Sequence, residues 1–459
     1  MAEDGPVMAD PGSAAAPPRR IRAAIGWTLG GDSASKVAVL ILNLLAAREL
    51  VPTQFGLYVG ILAVSLLGSA LWDAGVSTLV SVEVAKNAAP VSKALGRALT
   101  RRLPTLPVWG AVLALGFWIL TRSGPVDPAV LAVFSIASLL SSIEIPVLAA
   151  LRAQLEFREA TLATAAGRWT TTGLVAVAFV AVRSPDALIV LALATVAGEA
   201  VTTALGVGSL RPWAAPQSPP RTGTWDPSAI TLRKALPYAS NSVLMVAYNR
   251  LDVVLVAALT TAGQFAAYAP ASRMQDALYL LPGSLSAVAV PILARYAAGH
   301  DAAMNMTALL RKLWLVGVAV ALPASLLIFI LMPQLISVLL GAGYGDSTTP
   351  ARIVMWSMLL AIIGAPLVAV LVALDRGVDT TRAFFAAFVV SAVLHCSLDW
   401  WLGAVGGAIA SLARDGANAL VAGIYARRAL KRLETRSPGV PSVGPAPASG
   451  GSAGEAVPT

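Results

Sequence analysis

Charged residues stand inside the long apolar stretches of this 459-residue chain. In a membrane each of them is costly unless it faces a cavity or a partner. Guanidinium groups bind phosphate oxygens bidentately, an ammonium group acts as a point charge, and a buried carboxylate can hold a proton or a cation. They are too many for an inert scaffold: Asp32, Lys36, Asp73, Glu144, Arg168, Glu199, Arg250, Asp252, Arg273, Asp276, Arg414 and Asp415.

Four of these charges flank one predicted helical hairpin. Counting outward from its turn near Ala262, Asp252 and Arg273 lie at about the same depth, and Arg250 lies close to Asp276. A structural salt-bridge clamp between the two helices is therefore one interpretation, and such a clamp could also break during gating. The other interpretation is a ligand site.

The elements that must position these charges are transmembrane helices. The chain is 57% hydrophobic and 12% charged with a mean hydropathy of +0.75, which excludes an ordinary soluble domain. At roughly 20 apolar residues per span, the length predicts an all-α integral membrane fold of about 12 helices. The predicted spans are 23–47, 54–81, 104–121, 128–150, 160–182, 185–209, 235–259, 264–293, 312–334, 350–373, 382–399 and 401–425.

Basic residues are concentrated in alternate predicted loops. The opposite loops hold only Arg48, Arg122, Arg183 and Arg352. By the positive-inside rule, this asymmetry predicts a multi-pass cell-membrane protein with both termini in the cytoplasm. The net charge of +9 is therefore explained by the orientation of the chain in the membrane, and it does not indicate a nucleic-acid partner.

The two halves of the chain repeat one motif, Gln-Phe-small-x-Tyr, at Gln54–Tyr58 and at Gln264–Tyr268. Each copy opens the second helix of its half, so we expect two six-helix lobes related by a parallel repeat. The predicted organisation is a cytoplasmic N-terminal segment (1–22), an N-terminal lobe (23–209), a cytoplasmic linker (210–234), a C-terminal lobe (235–425) and a cytoplasmic disordered tail (426–459).

Three segments, 45–75, 249–296 and 339–359, resemble polysaccharide flippases, the lipid-linked-oligosaccharide branch of the multidrug/oligosaccharidyl-lipid/polysaccharide exporter superfamily. The third contains Gly-x-x-Tyr before a predicted helix. The resemblance implies two lobes around a central cavity that opens alternately to each side. It also implies outward transport of an undecaprenyl-diphosphate-linked sugar for lipopolysaccharide or exopolysaccharide export, with cations in the cavity holding the diphosphate.

On this resemblance, the candidate substrate-binding residues are Lys36, Arg250, Arg273 and Arg168. For Arg168, an alternative is a position near the cytoplasmic headgroups, which its long side chain could reach.

Five carboxylates are candidates for ion coupling or salt bridges: Asp32, Glu144, Glu199, Asp252 and Asp276. Asp32 stands four residues before Lys36, which permits a local ion pair. Glu144 and Glu199 lie in polar stretches of their helices and could carry a proton or sodium. A helix–helix hydrogen bond from a protonated carboxyl is the alternative for both.

Other functions are less well supported by the residues. A membrane polysaccharide polymerase or ligase needs a positioned base and usually a sizeable outer loop, whereas the predicted outer loops are short. A drug or metabolite antiporter of the same superfamily would favour an acidic cavity, but the charges here include several arginines. We expect no enzyme activity and no cofactor, and with one cysteine and two separated histidines no metal site. The expected partners are the lipid-linked glycan, membrane lipids and glycan polymerases or glycosyltransferases.

Overall fold

The computed structural model describes residues 18–85, 91–122, 124–179, 186–210, 230–297 and 301–436, and within these ranges the regular elements are all helical. The first half contains α1 (Pro18–Glu49), α2 (Pro52–Asp73), α3 (Val76–Ala85), α4 (Val91–Arg102), α5 (Leu106–Thr121), α6 (Pro128–Ala153), α7 (Phe157–Val177) and α8 (Ala187–Leu210). The second half contains α9 (Leu232–Leu259), α10 (Ala262–Leu278), α11 (Leu280–Ala297), α12 (Ala302–Leu339), α13 (Thr348–Ala373), α14 (Gly377–Leu394), α15 (Trp400–Leu402) and α16 (Ala404–Arg436).

The predicted all-α membrane class is confirmed. In the described part of the chain, eight helical segments are long and apolar enough to cross a bilayer: Pro52–Asp73, Val91–Thr121, Pro128–Ala153, Ala187–Leu210, Tyr238–Leu259, Ala302–Leu339, Ala342–Ala373 and Gly377–Leu402. The other predicted spans fall on α1, α7 and α16, which carry internal charges, and on α10 with α11. In the last case the predicted span 264–293 is divided into two helices. The count of 12 spans in two lobes stays a prediction.

Several predicted boundaries change. The predicted span 54–81 is broken after α2, where Ala74 and Gly75 have φ values of 46° and 71°. Helix α1 already begins at Pro18, inside the predicted N-terminal segment, and residues 1–17 lie outside the described ranges. Most of the predicted linker, 211–229, also lies outside them.

The predicted disordered tail was wrong for its first residues. Helix α16 continues to Arg436, so residues 426–436 are helical. The reason is packing, because Ala426 and Leu430 are buried in an apolar cluster with Met306 and Leu310 of α12. Residues from 437 onward lie outside the described ranges.

Helix α2 joins the two halves. It is the most enclosed of the eight segments, with 67% of its apolar window buried. At its start, a Cβ on Gly56 would lie 3.3 Å from the Cα of Ala266 on α10. These two small residues occupy the same position in the two motif copies, so the repeated motif brings the halves together at this end. Close approach here requires small side chains.

The same helix touches the second half at its other end. Gly75, in the left-handed turn between α2 and α3, lies against the backbone of α9 at Ala235, Tyr238 and Ala239. Only a residue without a Cβ fits both this conformation and this contact. The halves therefore meet at both ends of α2.

Candidate functional site

Two arginines share one aspartate on the α9–α10 hairpin, and we call this group the Asp276 cluster (Arg250, Arg273 and Asp276). Arg250 Nη1 donates to Asp276 Oδ1 and Oδ2 at 2.9 and 2.7 Å, and Arg273 Nη1 donates to Oδ2 at 3.1 Å. The expected proximity of Arg250 and Asp276 is confirmed. Arg273 was expected beside Asp252, but it pairs with Asp276, one helical turn along its own helix.

The Asp276 cluster carries one net positive charge and faces the first half. Arg273 Nη2 donates to the backbone oxygen of Val59 on α2 at 3.1 Å. Its Nε is buried and has no hydrogen-bond partner among the described residues. The side chain of Asp276 is 32% exposed and that of Arg250 is 19% exposed, so the cluster is only partly covered by the described residues.

Asp252 belongs to a second group deeper in the same half. Its Oδ2 accepts from the Tyr268 hydroxyl at 2.7 Å and lies 3.9 Å from Arg414 Nη1 of α16. Arg414 is almost fully buried and donates to the Tyr248 backbone oxygen at 2.7 Å and to the Tyr279 hydroxyl at 2.9 Å. We call this group the Arg414 network; it also includes Asp415.

Asp415 completes the Arg414 network. Its Oδ1 accepts from the Tyr248 hydroxyl at 2.9 Å, and its Oδ2 accepts from Gln275 at 3.2 Å. Arg414 also stacks over the Tyr248 ring, 4.7 Å from its centroid. A buried charge with this many partners holds helices together, so the network is structural in character.

In the first half, two glutamates compete for one arginine. Arg168 Nη1 of α7 donates to Glu199 Oε1 of α8 at 2.7 Å, and Glu144 of α6 interacts electrostatically with both. Each glutamate residue is 5% exposed, and in the described part of the chain neither Oε2 atom has a hydrogen-bond partner. This glutamate pair (Glu144 and Glu199) suits one bound proton, because two ionised carboxylates with a single ion-paired guanidinium leave a buried negative charge.

Two of the four predicted cations lie together and one of them contacts α2. Arg250 and Arg273 share Asp276, and Arg273 donates to the backbone oxygen of Val59. The third, Arg168, is ion-paired with Glu199 inside the first half.

The fourth predicted cation is not drawn into this region by any contact of the described residues. The Lys36 side chain on α1 is exposed, and no ion pair is described for it. The side chain of Asp32 lies outside the described part of the chain, so its pairing with Lys36 stays a prediction.

Two buried ion pairs were not predicted from the sequence. Arg102, expected in a cytoplasmic loop, is fully buried: Nε donates to the Trp72 backbone oxygen at 3.1 Å, and Nη1 lies 3.6 Å from Asp73. His395 Nδ1 lies 2.8 Å from Asp399 Oδ2 in a π-helical turn after α14. The only sequence signal for the second pair was the four-residue spacing of His and Asp within an apolar run.

Two family models match the chain. The model described as "Polysaccharide biosynthesis protein" matches residues 21–297, and the model MatE matches residues 237–401. A search of curated proteins gives no match.

Solved structures share the fold at low sequence identity. The lipid II flippase MurJ in an inward closed conformation is 12% identical, with a TM-score of 0.66 over 89% of each chain. An inward-facing multidrug resistance MATE family transporter of the MOP superfamily is 15% identical, with a TM-score of 0.62 over 88% of this chain and 96% of the other. A MOP superfamily transporter from Pyrococcus furiosus, described as having a binding pocket of reverse polarity, is 17% identical, with a TM-score of 0.57 over 90% and 96%.

Proposed function

The chain belongs to the polysaccharide biosynthesis protein family of the multidrug/oligosaccharidyl-lipid/polysaccharide exporter superfamily, and we propose that it flips a lipid-linked saccharide precursor across the cell membrane. The precursor is carried on a polyprenyl diphosphate such as undecaprenyl diphosphate, and it moves from the cytoplasmic to the outer leaflet. The observation that carries the proposal is the Asp276 cluster, in which two guanidiniums share one carboxylate on the interlobe side of α10.

The chemistry of this cluster suits a diphosphate. Guanidinium groups bind phosphate oxygens bidentately and stay charged at any physiological pH. A diphosphate can take the place of the Asp276 carboxylate without leaving either arginine unpaired, and the displaced carboxylate is not fully buried, since its side chain is 32% exposed. Asp276 thus neutralises part of the positive charge of the two arginines in the empty site, and the ligand displaces its carboxylate.

Alternating access uses the contacts at the two ends of α2. At one end Arg48 Nε donates to the Leu339 backbone oxygen at 3.1 Å, and the Tyr344 hydroxyl donates to the Leu50 backbone oxygen at 3.0 Å. At the other end Gly75 packs against α9. In the proposed cycle these two sets of contacts open in turn, the first on the outer side and the second on the cytoplasmic side.

The energy comes from the membrane potential in the simplest version of the cycle. An inside-negative potential favours outward movement of a negative headgroup by about 2.3 kcal/mol per charge per 100 mV. A proton that the glutamate pair binds together with the anion removes the negative charge that the bound anion would leave uncompensated in the first half.

Flipping of a fluorescent polyprenyl-diphosphate-linked sugar in liposomes tests the proposal. Arg250→Ala and Arg273→Ala should each abolish flipping. Arg382→Ala serves as the control with the wild-type rate, because the Arg382 guanidinium is 62% exposed and its partner Asp379 keeps the ion pair with Arg376. Asp276→Asn should keep the substrate bound, since it removes a competing carboxylate and leaves both cations.

Exchanging the charges of Arg273 and Asp276 distinguishes a role in substrate binding from a role in holding the helices together. If Arg273→Asp combined with Asp276→Arg restores full flipping, the pair only holds the helices and Arg273 has no phosphate role. Wild-type flipping by both single arginine variants would rule out the cluster as the diphosphate site.

The antiporter alternative is favoured by one observation, the glutamate pair, because buried carboxylates attract organic cations. The MatE match to residues 237–401 agrees with it. The same liposomes loaded with a fluorescent organic cation discriminate the two functions: cation efflux without lipid flipping would favour the antiporter.

A further inference from the structure

Helix α12 is longer than the hydrocarbon core of a bilayer is thick. Its 38 residues extend over about 57 Å, whereas the core is about 30 Å thick. The stretch 313–332 contains no charged residue and is long enough to cross the core by itself. Arg311 and Lys312 directly precede this stretch, so they stand at the boundary between the apolar part of the helix and its polar first turns.

The C-terminal part of α16, residues 426–436, lies beside this end of α12. Its Leu430 is buried in one apolar cluster with Met306 and Leu310 of α12. Well-packed apolar contacts of this kind hold two helices in a fixed relation. The surface between the two helices is therefore formed before any ligand arrives.

Both helices are rich in basic residues at this boundary. The segments 302–315 and 426–436 together contain seven basic residues and one acidic residue, Glu434. The exposed basic residues of α16 include Arg427, Arg428, Lys431 and Arg432. Within the described part of the chain, neither Arg311 nor Lys312 forms an ion pair. Their positive charge is therefore available to an anionic ligand.

A cavity of about 610 Å³ lies where the two helices meet. Glu434 lines it from α16. The α12 wall is a single helical stripe: Met304, Thr307, Ala308, Arg311, Lys312 and Leu315. Met304 and Leu315 are 66% and 64% exposed, so the two cations are flanked by apolar side chains that the protein leaves uncovered. A wall that is both cationic and apolar suits an amphiphile better than a soluble anion.

We propose that this cavity binds an anionic phospholipid of the surrounding membrane. Its phosphate oxygens contact Arg311 and Lys312, and an acyl chain lies against Leu315 and the apolar stretch that follows. This stretch is open to lipid, because the α12 segment is the least enclosed of the eight apolar segments, with 17% of its window buried. Basic residues next to a transmembrane helix attract anionic lipids in this way. The inference is independent of the proposed function, because neither the Asp276 cluster nor the glutamate pair belongs to this cavity.

The test measures binding of three probes to the purified full-length chain in an uncharged detergent by isothermal titration calorimetry. The probes are dioctanoyl phosphatidylglycerol, dioctanoyl phosphatidylcholine, which has no net charge, and glycerol 3-phosphate, which has no acyl chains. The wild type should bind phosphatidylglycerol more tightly than either other probe. Equal affinity for phosphatidylcholine would show that the cations are not used, and equal affinity for glycerol 3-phosphate would assign the cavity to a soluble phosphate. Either result overturns the inference.

The double variant Arg311→Gln/Lys312→Gln removes both cations from the cavity. Each cation near a lipid headgroup strengthens binding about fivefold, so the Kd for phosphatidylglycerol should rise about 25-fold. Lys93→Gln/Arg101→Gln is the matched control, because it removes two exposed cations of α4 that are predicted on the same side of the membrane and do not line the cavity. Its Kd should stay within about twofold of the wild type. An equal loss in both double variants would mean that only the general surface charge attracts the lipid.

The Asp276 cluster is the competing location for a phosphate group. Arg250→Gln/Arg273→Gln should leave the Kd for phosphatidylglycerol within about twofold of the wild type. If this variant weakens binding and Arg311→Gln/Lys312→Gln does not, the lipid binds at the Asp276 cluster and the inference is wrong. The proposed function does not depend on this outcome, because flipping is measured with a different substrate.

Thermal unfolding gives an independent readout. Without lipid, Arg311→Gln/Lys312→Gln should unfold at the wild-type temperature, because both side chains are exposed and neither forms an ion pair within the described residues. Phosphatidylglycerol should raise the unfolding temperature of the wild type and of the α4 control, since a ligand that binds the folded state stabilises it. The double variant should show no such rise. A rise equal to that of the wild type would refute the site.

Discussion

Gly75→Ala should open the interlobe contact at the end of α2 that is predicted to be cytoplasmic. A Cβ at this position would lie 2.6 Å from the Tyr238 backbone carbon and 2.8 Å from the Ala235 backbone oxygen. Ordinary contact requires α9 and the α2–α3 turn to move apart by about 1 Å, and no flexible side chain can absorb the shift. The turn also has a φ of 71° at Gly75, which disfavours any residue with a Cβ.

The magnitude follows from these two terms. Placing alanine in the left-handed region costs about 1 kcal/mol, and overpacking against rigid backbone costs about 1–3 kcal/mol. Only the overpacking penalty is relieved when the contact opens, because the left-handed turn belongs to α2–α3 and is the same in both forms. An overpacking penalty of about 2 kcal/mol shifts the ratio of closed to open forms about 30-fold toward the open form.

Maleimide labelling of a cysteine at Ala239 reports this opening. Ala239 is 7% exposed, so the wild type should label slowly and Gly75→Ala quickly, in a Cys396→Ser background because Cys396 is exposed. Gly96→Ala is the control, since its Cβ would meet nothing within 4 Å and alanine suits a helix interior. Equal labelling of Gly75→Ala and wild type would show that the contact tolerates a Cβ and would refute the reasoning.

Further outcomes are expected. Glu144→Gln should slow flipping in liposomes more than it weakens substrate binding, because a fixed neutral side chain cannot release a proton; an unchanged rate contradicts this role. Arg414→Ala should destabilise the fold by about 3–5 kcal/mol, because two buried aspartates lose their cation, and wild-type thermal unfolding would show that the Arg414 network is dispensable. Flipping should accelerate with an imposed inside-negative potential, and a rate that ignores the potential leaves the energy scheme unsupported. Cysteines at Arg97 and Arg432 should label from the cytoplasm and one at Asp346 from outside; opposite sides for the first two would refute the topology.

Local geometry explains which contacts could be predicted from the sequence. Helices α9 and α10 are separated by two residues, so counting from the turn gives the relative depth of side chains on the two helices. Depth was sufficient for Arg250 and Asp276, which are ion-paired. It was insufficient for Arg273 and Asp252, because the direction in which each side chain leaves its helix also decides its partner. Arg273 finds Asp276 on its own helix, and Asp252 turns toward α16.

Tertiary partners explain what could not be predicted. Arg102 precedes an apolar run and is followed by Leu103 and Pro104, which favours a loop, yet it is buried because the backbone oxygens of Trp72 and Ser142 accept its hydrogen bonds. Those oxygens belong to α2 and α6, and no pattern along the chain places them beside Arg102.

The distribution of charge between the halves links the two proposed ligands. The glutamate pair together with Arg168 contains two carboxylates and one guanidinium, whereas the Asp276 cluster contains two guanidiniums and one carboxylate. In the empty protein these opposite excesses attract each other across α2, which favours the contact between the halves. An anion bound at the Asp276 cluster would cancel the positive excess and leave the negative one uncompensated, so it would raise the affinity of the glutamate pair for a proton. By linkage, a proton there would raise the affinity for the anion to the same extent. A carrier built in this way would load diphosphate and proton together.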